Sequence, residues 1–85
     1  MMLNKKLQRL QQILTSKNSF YECKSGETGH SLLIFDTLLK KSNWVYYRNG
    51  EFKIYSNTPD TFVFIFTTIN GIADFILHNG IFGVK

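Results

Sequence analysis

The stretch Trp44-Val45-Tyr46-Tyr47-Arg48-Asn49-Gly50-Glu51-Phe52-Lys53-Ile54-Tyr55 decides the fold. Asn-Gly between two alternating runs signals a hairpin, because both central residues of a type I′ turn need φ > 0 and these residue types tolerate it. That turn sets the register. Arg48 falls opposite Glu51, Tyr47 opposite Phe52, Tyr46 opposite Lys53, Val45 opposite Ile54 and Trp44 opposite Tyr55. Successive side chains of a strand point to opposite faces. Val45, Tyr47, Phe52 and Ile54 therefore share an apolar face that must be buried. Trp44, Tyr46, Arg48, Glu51, Lys53 and Tyr55 share an aromatic and charged face that looks outward.

Beyond the hairpin, Asn57-Thr58-Pro59-Asp60 reads as a turn in which Pro pre-sets φ. Residues 61–69 read as a strand with Phe62, Phe64 and Phe66 on one face and Val63, Ile65 and Thr67 on the other. Both faces are largely apolar, so both sides are expected to be covered. A last helix is expected over residues 72–79, with Asn70 as its cap, Gly80 just past its end, and Ile72, Phe75 and Ile76 on one side.

Ahead of the hairpin, Leu3, Leu7, Leu10 and Leu14 recur at helical spacing beside Ile13. They predict an amphipathic helix over residues 2–16 whose other face carries Lys5, Lys6 and Arg9. Ser16-Lys17-Asn18-Ser19 ends it. The leucine stripe is short for a coiled coil, which favours packing on the protein's own sheet. Phe20 to Lys24 reads as a short strand and Ser25 to Gly29 as a loop. Residues 31–41 fit two patterns. Leu32 to Phe35 is a continuous apolar run of the kind found in buried strands. Leu32, Phe35, Leu38 and Leu39 also fit a helical face, with Lys40-Lys41 placed well at a helix C-terminus. The helical reading is preferred.

The 85 residues then describe one small α+β domain. Its basic N-terminal helix covers residues 1–17, and residues 20–85 form the core: an antiparallel sheet of three or four strands with one or two further helices. If the helices lie on one face only, apolar side chains of the strands stay exposed on the other. Either the N-terminal helix covers that second face, or the face is an interface, and a homodimer is one solution.

Charge is unevenly placed within the net +4. Residues 1–24 hold Lys5, Lys6, Arg9, Lys17 and Lys24 against Glu22 alone, whereas the rest of the chain is balanced. The basic segment suits an acidic protein surface or a polyanion. Cys23 is the only cysteine, so no internal disulfide forms and a reducing, cytoplasmic setting fits. Neither a secretory leader nor a membrane span is expected: cations interrupt residues 1–12, and Asn, Gly, Asp and His break the apolar stretch 62–82.

Little in the chain suggests catalysis. His30 and His78 are far apart in sequence, Asp36, Asp60 and Asp74 lie in different segments, and the Cys/His clusters of metal sites are missing. Cys23 and His30 are better explained as a buried thiol and a loop histidine than as a nucleophile–base pair. The expectation is no catalytic residue, no metal and no cofactor.

Gly26-Glu27-Thr28-Gly29 has the GxxG spacing with which KH domains approach a nucleic-acid backbone, although Glu27 opposes phosphate there. From Ser31 onward, the expected order helix–strand–strand–strand–helix resembles double-stranded-RNA-binding domains. Leu38-Leu39-Lys40-Lys41-Ser42-Asn43-Trp44-Val45 is similar to the helix-to-strand joint of the HicA-type toxins. The resemblance implies topology alone. The second hairpin strand, Glu51 to Tyr55, lacks the histidine of those toxins, and Asn70-Gly71-Ile72-Ala73-Asp74 lacks the lysines of the RNA binders.

The sequence therefore leads to a non-enzymatic binding module: an inhibitor, adaptor or regulatory subunit of the compact kind encoded by phages and mobile elements, with a partner bearing an acidic surface. The alternative is direct nucleic-acid binding. In either case the contact residues are Lys5, Lys6, Arg9, Lys17, Trp44, Tyr46, Arg48, Lys53 and Tyr55.

Overall fold

A computed structural model describes residues 2–55 and 63–83. Helix α1 (Lys5–Lys17) is followed by strands β1 (Tyr21–Ser25), β2 (Ser31–Asp36), β3 (Lys41–Arg48), β4 (Glu51–Tyr55) and β5 (Val63–Phe66), and then by helix α2 (Ile69–Asn79). The strands form one antiparallel sheet in the order β1-β2-β3-β4-β5, each paired with its neighbour in sequence.

The β3–β4 hairpin has the register read from Asn49-Gly50. Val45 pairs with Ile54, Tyr46 with Lys53, Tyr47 with Phe52 and Arg48 with Glu51. Asn49 and Gly50 take φ of 53° and 80°, the left-handed conformations that a type I′ turn requires.

The segment 31–41 differs from its helical expectation. Residues 31–36 are β2, and the next four residues turn the chain into β3. Two features decide for the strand. Leu32 and Ile34 point into the core while Leu33 and Phe35 point out, so the apolar run serves two faces of a sheet. Asp36 ends the strand: its carboxylate accepts hydrogen bonds from the Leu38 and Leu39 amides, both at 3.0 Å, and holds a tight turn. Leu38 and Leu39 are left exposed on that turn. Among the described residues the sheet accordingly has five strands rather than three or four, with two helices, and the helix–strand–strand–strand–helix order behind the RNA-binder and toxin resemblance is not formed.

Helix α1 follows its leucine stripe. Leu7, Leu10 and Leu14 are fully buried, each burial stabilising by about 1.5–3 kcal/mol. The Asn4 side chain caps the helix by accepting from the Lys6 amide at 2.8 Å. At α2 the cap is Thr68 and not Asn70: the Thr68 hydroxyl accepts from the Gly71 amide at 3.0 Å, and the helix starts earlier than its apolar spacing suggests. Gly80 ends α2 with φ 83°.

Both helices lie on one face of the sheet. The core joins Leu7, Leu10 and Leu14 of α1 and Ile72, Ala73 and Ile76 of α2 to Leu32, Ile34, Val45, Phe52 and Ile54 of the strands. Phe64 and Phe66 of β5 pack on Phe75 of α2, with ring centroids 4.7 and 5.0 Å apart. Val63 and Ile65 on the other side of β5 stay exposed, so this strand is covered on one face only. Helix α1 shares the layer of α2 and covers nothing on the second face. The turn expected at residues 57–60 lies outside the described residues, as does Phe62.

Candidate binding surface

Alternation along each strand assembles the uncovered face. Every inward residue named above is flanked by an outward one: Leu33 and Phe35 on β2, Trp44, Tyr46 and Arg48 on β3, Glu51, Lys53 and Tyr55 on β4, Val63 and Ile65 on β5. The aromatic side chains form a continuous strip. Trp44 stacks against Tyr46 with centroids 6.5 Å apart and planes at 29°, and Tyr46 meets Tyr55 edge-on at 5.8 Å. Tyr46, Tyr55, Val63 and Ile65 keep 42, 39, 41 and 51% of their surface exposed. Lys53 sits between Tyr46 and Ile65 in the cross-strand row.

The residues expected to make contact divide into two groups. Trp44, Tyr46, Arg48, Lys53 and Tyr55 come together on the open face. Lys5, Lys6, Arg9 and Lys17 belong to α1, on the opposite side of the sheet. There Lys6 and Arg9 border a shallow cleft of about 300 Å³ with Tyr47, Phe52 and the first turn of α2. No single flat contact can engage both groups. Trp44 and Tyr55 do not pack under the N-terminal helix.

Leu33, Phe35, Val63 and Ile65 extend the aromatic strip; Val63 and Ile65 lie on the strand side expected to stay exposed if both helices share one face, whereas Leu33 and Phe35 were not expected as contacts. The alternation of β5 held the signal for Val63 and Ile65. The signal for Leu33 and Phe35 was hidden by the helical reading of residues 31–41.

A second cleft, of about 590 Å³, opens where the β1–β2 turn, the hairpin turn and the start of α1 meet, and His30, Tyr46 and Arg48 are among its walls. Gly26 to Gly29 forms that β1–β2 turn, with the Gly26 amide donating to the Ser31 carbonyl at 2.9 Å. Cys23 lies on the helix side of β1, half-buried, and burial pushes its thiol up to about 11. In the β1–β2 register it pairs with Ile34, and His30 stands four residues further along the strand direction, roughly 13 Å away at the usual rise. The two do not form a nucleophile–base pair. His78 is engaged locally, its Nδ1 donating to the Asp74 carbonyl at 2.7 Å.

Among the described residues, no group of three or more His, Cys, Asp or Glu side chains gathers to hold a metal ion. Among the same residues no helix is long and apolar enough to cross a membrane. No family model, curated protein or solved structure matches the chain.

Proposed function

We propose that this protein is a small non-enzymatic binding module that acts through protein–protein contacts as an inhibitor, adaptor or regulatory subunit. The observation that carries the reading is the uncovered face of the sheet. Trp44, Tyr46 and Tyr55 supply the residue types that dominate protein hot spots, and aliphatic side chains continue the patch to the β5 edge. Arg48 and Glu51 give it a charged border, and Lys53 sets a cation within it between Tyr46 and Ile65. A larger partner with acidic groups would also reach Lys5, Lys6, Arg9 and Lys17 of α1 by wrapping round an edge of the sheet.

Direct nucleic-acid binding is the second reading. Bases would stack on Trp44, Tyr46 and Tyr55 while Lys53 and Arg48 neutralise phosphate. Against it stands the separation of the four α1 cations from the aromatic strip, which leaves the open face with nearly balanced charge.

Two variants separate the readings: Trp44→Ala/Tyr46→Ala on the open face and Lys5→Ala/Lys6→Ala/Arg9→Ala on α1. The protein reading expects the wild type and the α1 variant to capture the same host protein while the open-face variant loses it. Oligonucleotide binding that weakens steeply with salt and disappears in the open-face or α1 variant would overturn it.

A further inference from the structure

We infer that the open sheet face is occupied by a second copy of this chain, packed sheet on sheet through a two-fold symmetric interface. The inference rests on reading that face as a protein-docking surface. Its main support is the order of side chains across the strands. One cross-strand row holds Leu33, Trp44, Tyr55 and Val63, and the next holds Ser31, Tyr46, Lys53 and Ile65. A two-fold axis lying between two such faces, directed across the strands and between these rows, exchanges one row for the other. Trp44 then meets the second copy's Tyr46, and Val63 meets the second copy's Ile65. Lys53 meets the second copy's Tyr55, an ammonium over an aromatic ring, which is an attractive pairing. Arg48 falls opposite the second copy's Ser42.

Twisted sheets packed face to face stay best aligned at their centre. That centre is β3, the middle strand of the five, which carries Trp44 and Tyr46. The face bears cations and anions, Lys24, Arg48 and Lys53 with Glu22 and Glu51, so two copies approach without strong mutual repulsion.

The area suffices for a reversible dimer. Phe35, Tyr46, Tyr55, Val63 and Ile65 are 37 to 51% exposed. At about 200 Å² for a whole aromatic side chain and somewhat less for the two aliphatic ones, these five offer roughly 400 Å². With Trp44, Leu33 and the charged border the pair would bury roughly 1,200 Å², the lower end of specific interfaces.

Sedimentation of the full chain from roughly 1 μM to 1 mM spans the dissociation constants of an interface this small. The inference expects a concentration-dependent monomer–dimer equilibrium. Tyr46→Glu and Ile65→Lys should each weaken it at least roughly tenfold by burying an unpaired charge. Gln12→Ala, exposed on α1 on the helix side of the sheet, should leave it unchanged. Circular dichroism confirms that each variant folds, and Ile65→Lys, at a half-exposed position on the edge strand, keeps the test available if Tyr46→Glu does not. A wild type that stays monomeric throughout overturns self-pairing and leaves the protein-docking reading standing. A dimer unaffected by both substitutions uses another surface and likewise overturns self-pairing through the open face.

Discussion

Tyr46 stands edge-on to Tyr55, ring centroids 5.8 Å apart and planes at 82°, on the side of the sheet that neither helix reaches. The pair is an aromatic contact made at the surface, so it adds little to folding and keeps two ring edges available to a partner. Tyr46→Ala is therefore expected to lower stability by no more than about 1 kcal/mol in urea titrations, the range of a cross-strand pair. Its effect on partner binding should be about 2 kcal/mol or more if Tyr46 lies at the centre of the contact. Trp44 is the only tryptophan and stacks on Tyr46, so its emission should shift to shorter wavelength when a partner excludes water from the strip.

Placing α1 and the aromatic strip on opposite sides of the sheet makes the two groups energetically independent. Combining Tyr46→Ala with Lys5→Ala/Lys6→Ala should change binding by the sum of the separate effects, within about 0.5 kcal/mol. The α1 substitutions should act mainly on the association rate and its salt dependence. A coupling well above that limit in calorimetric titrations would mean that one contact spans both sides.

The hairpin was legible because its turn residues, register and alternation agree, so Val45, Phe52 and Ile54 could be placed in the core from sequence. Leu7, Leu10 and Leu14 were legible for the same reason: an interrupted apolar period has only one solution on a helix. Residues 31–36 were not, because an unbroken apolar run fits a buried helix and a two-sided strand equally well. What resolves it is a tertiary fact, that Leu33 pairs with Trp44 across β2 and β3 on a face without a helix. Exposure of the aromatic strip was also out of reach of the sequence. It depends on which side of the sheet α1 settles, and the inward set Leu32, Ile34, Val45, Phe52 and Ile54 competes for the leucine stripe more strongly than the mixed outward set does.

Leu10 is fully buried at the middle of α1, between Leu7 and Leu14. Leu10→Ala should cost about 2–5 kcal/mol through lost burial and the cavity left behind. For a chain this small that is much of the total stability, so chemical denaturation should show a midpoint near zero denaturant. Lys6→Ala, one turn earlier on the solvent side, should change stability by less than about 0.5 kcal/mol.

Two glycines with nearly equal φ should respond differently to alanine. Gly50 (φ 80°) has open space where a Cβ would go, so Gly50→Ala meets only the backbone penalty, about 1 kcal/mol. At Gly29 (φ 78°) the added Cβ would collide with the Met2 carbonyl. The Gly29 carbonyl also accepts from the Asn4 amide at 2.8 Å, which ties the β1–β2 turn to the start of α1. Gly29→Ala should thus cost more than Gly50→Ala and loosen the first turn of α1, seen as faster amide exchange there.

Alkaline pH should unfold the protein earlier than its composition alone suggests. Burial raises the Cys23 thiol from an ordinary 9.0 to about 11. Burial, then the neighbouring Asp36 carboxylate, raises the Tyr21 phenol above its usual 10.0. Both groups are neutral when protonated, and the folded state holds these protons more tightly than the unfolded chain. From pH 9.0 to about 11 the unfolded chain has lost the thiol proton while the folded protein retains it, so stability falls as pH rises through that window. Below it the thiol contributes nothing to the pH dependence. Urea midpoints measured across the window should decline, and Cys23→Ala should remove part of the slope and leave the Tyr21 share. At neutral pH the folded protein should alkylate slowly with iodoacetamide, because the thiolate fraction is small. Rapid labelling of folded protein at neutral pH would show that the Cys23 side of β1 is open to solvent.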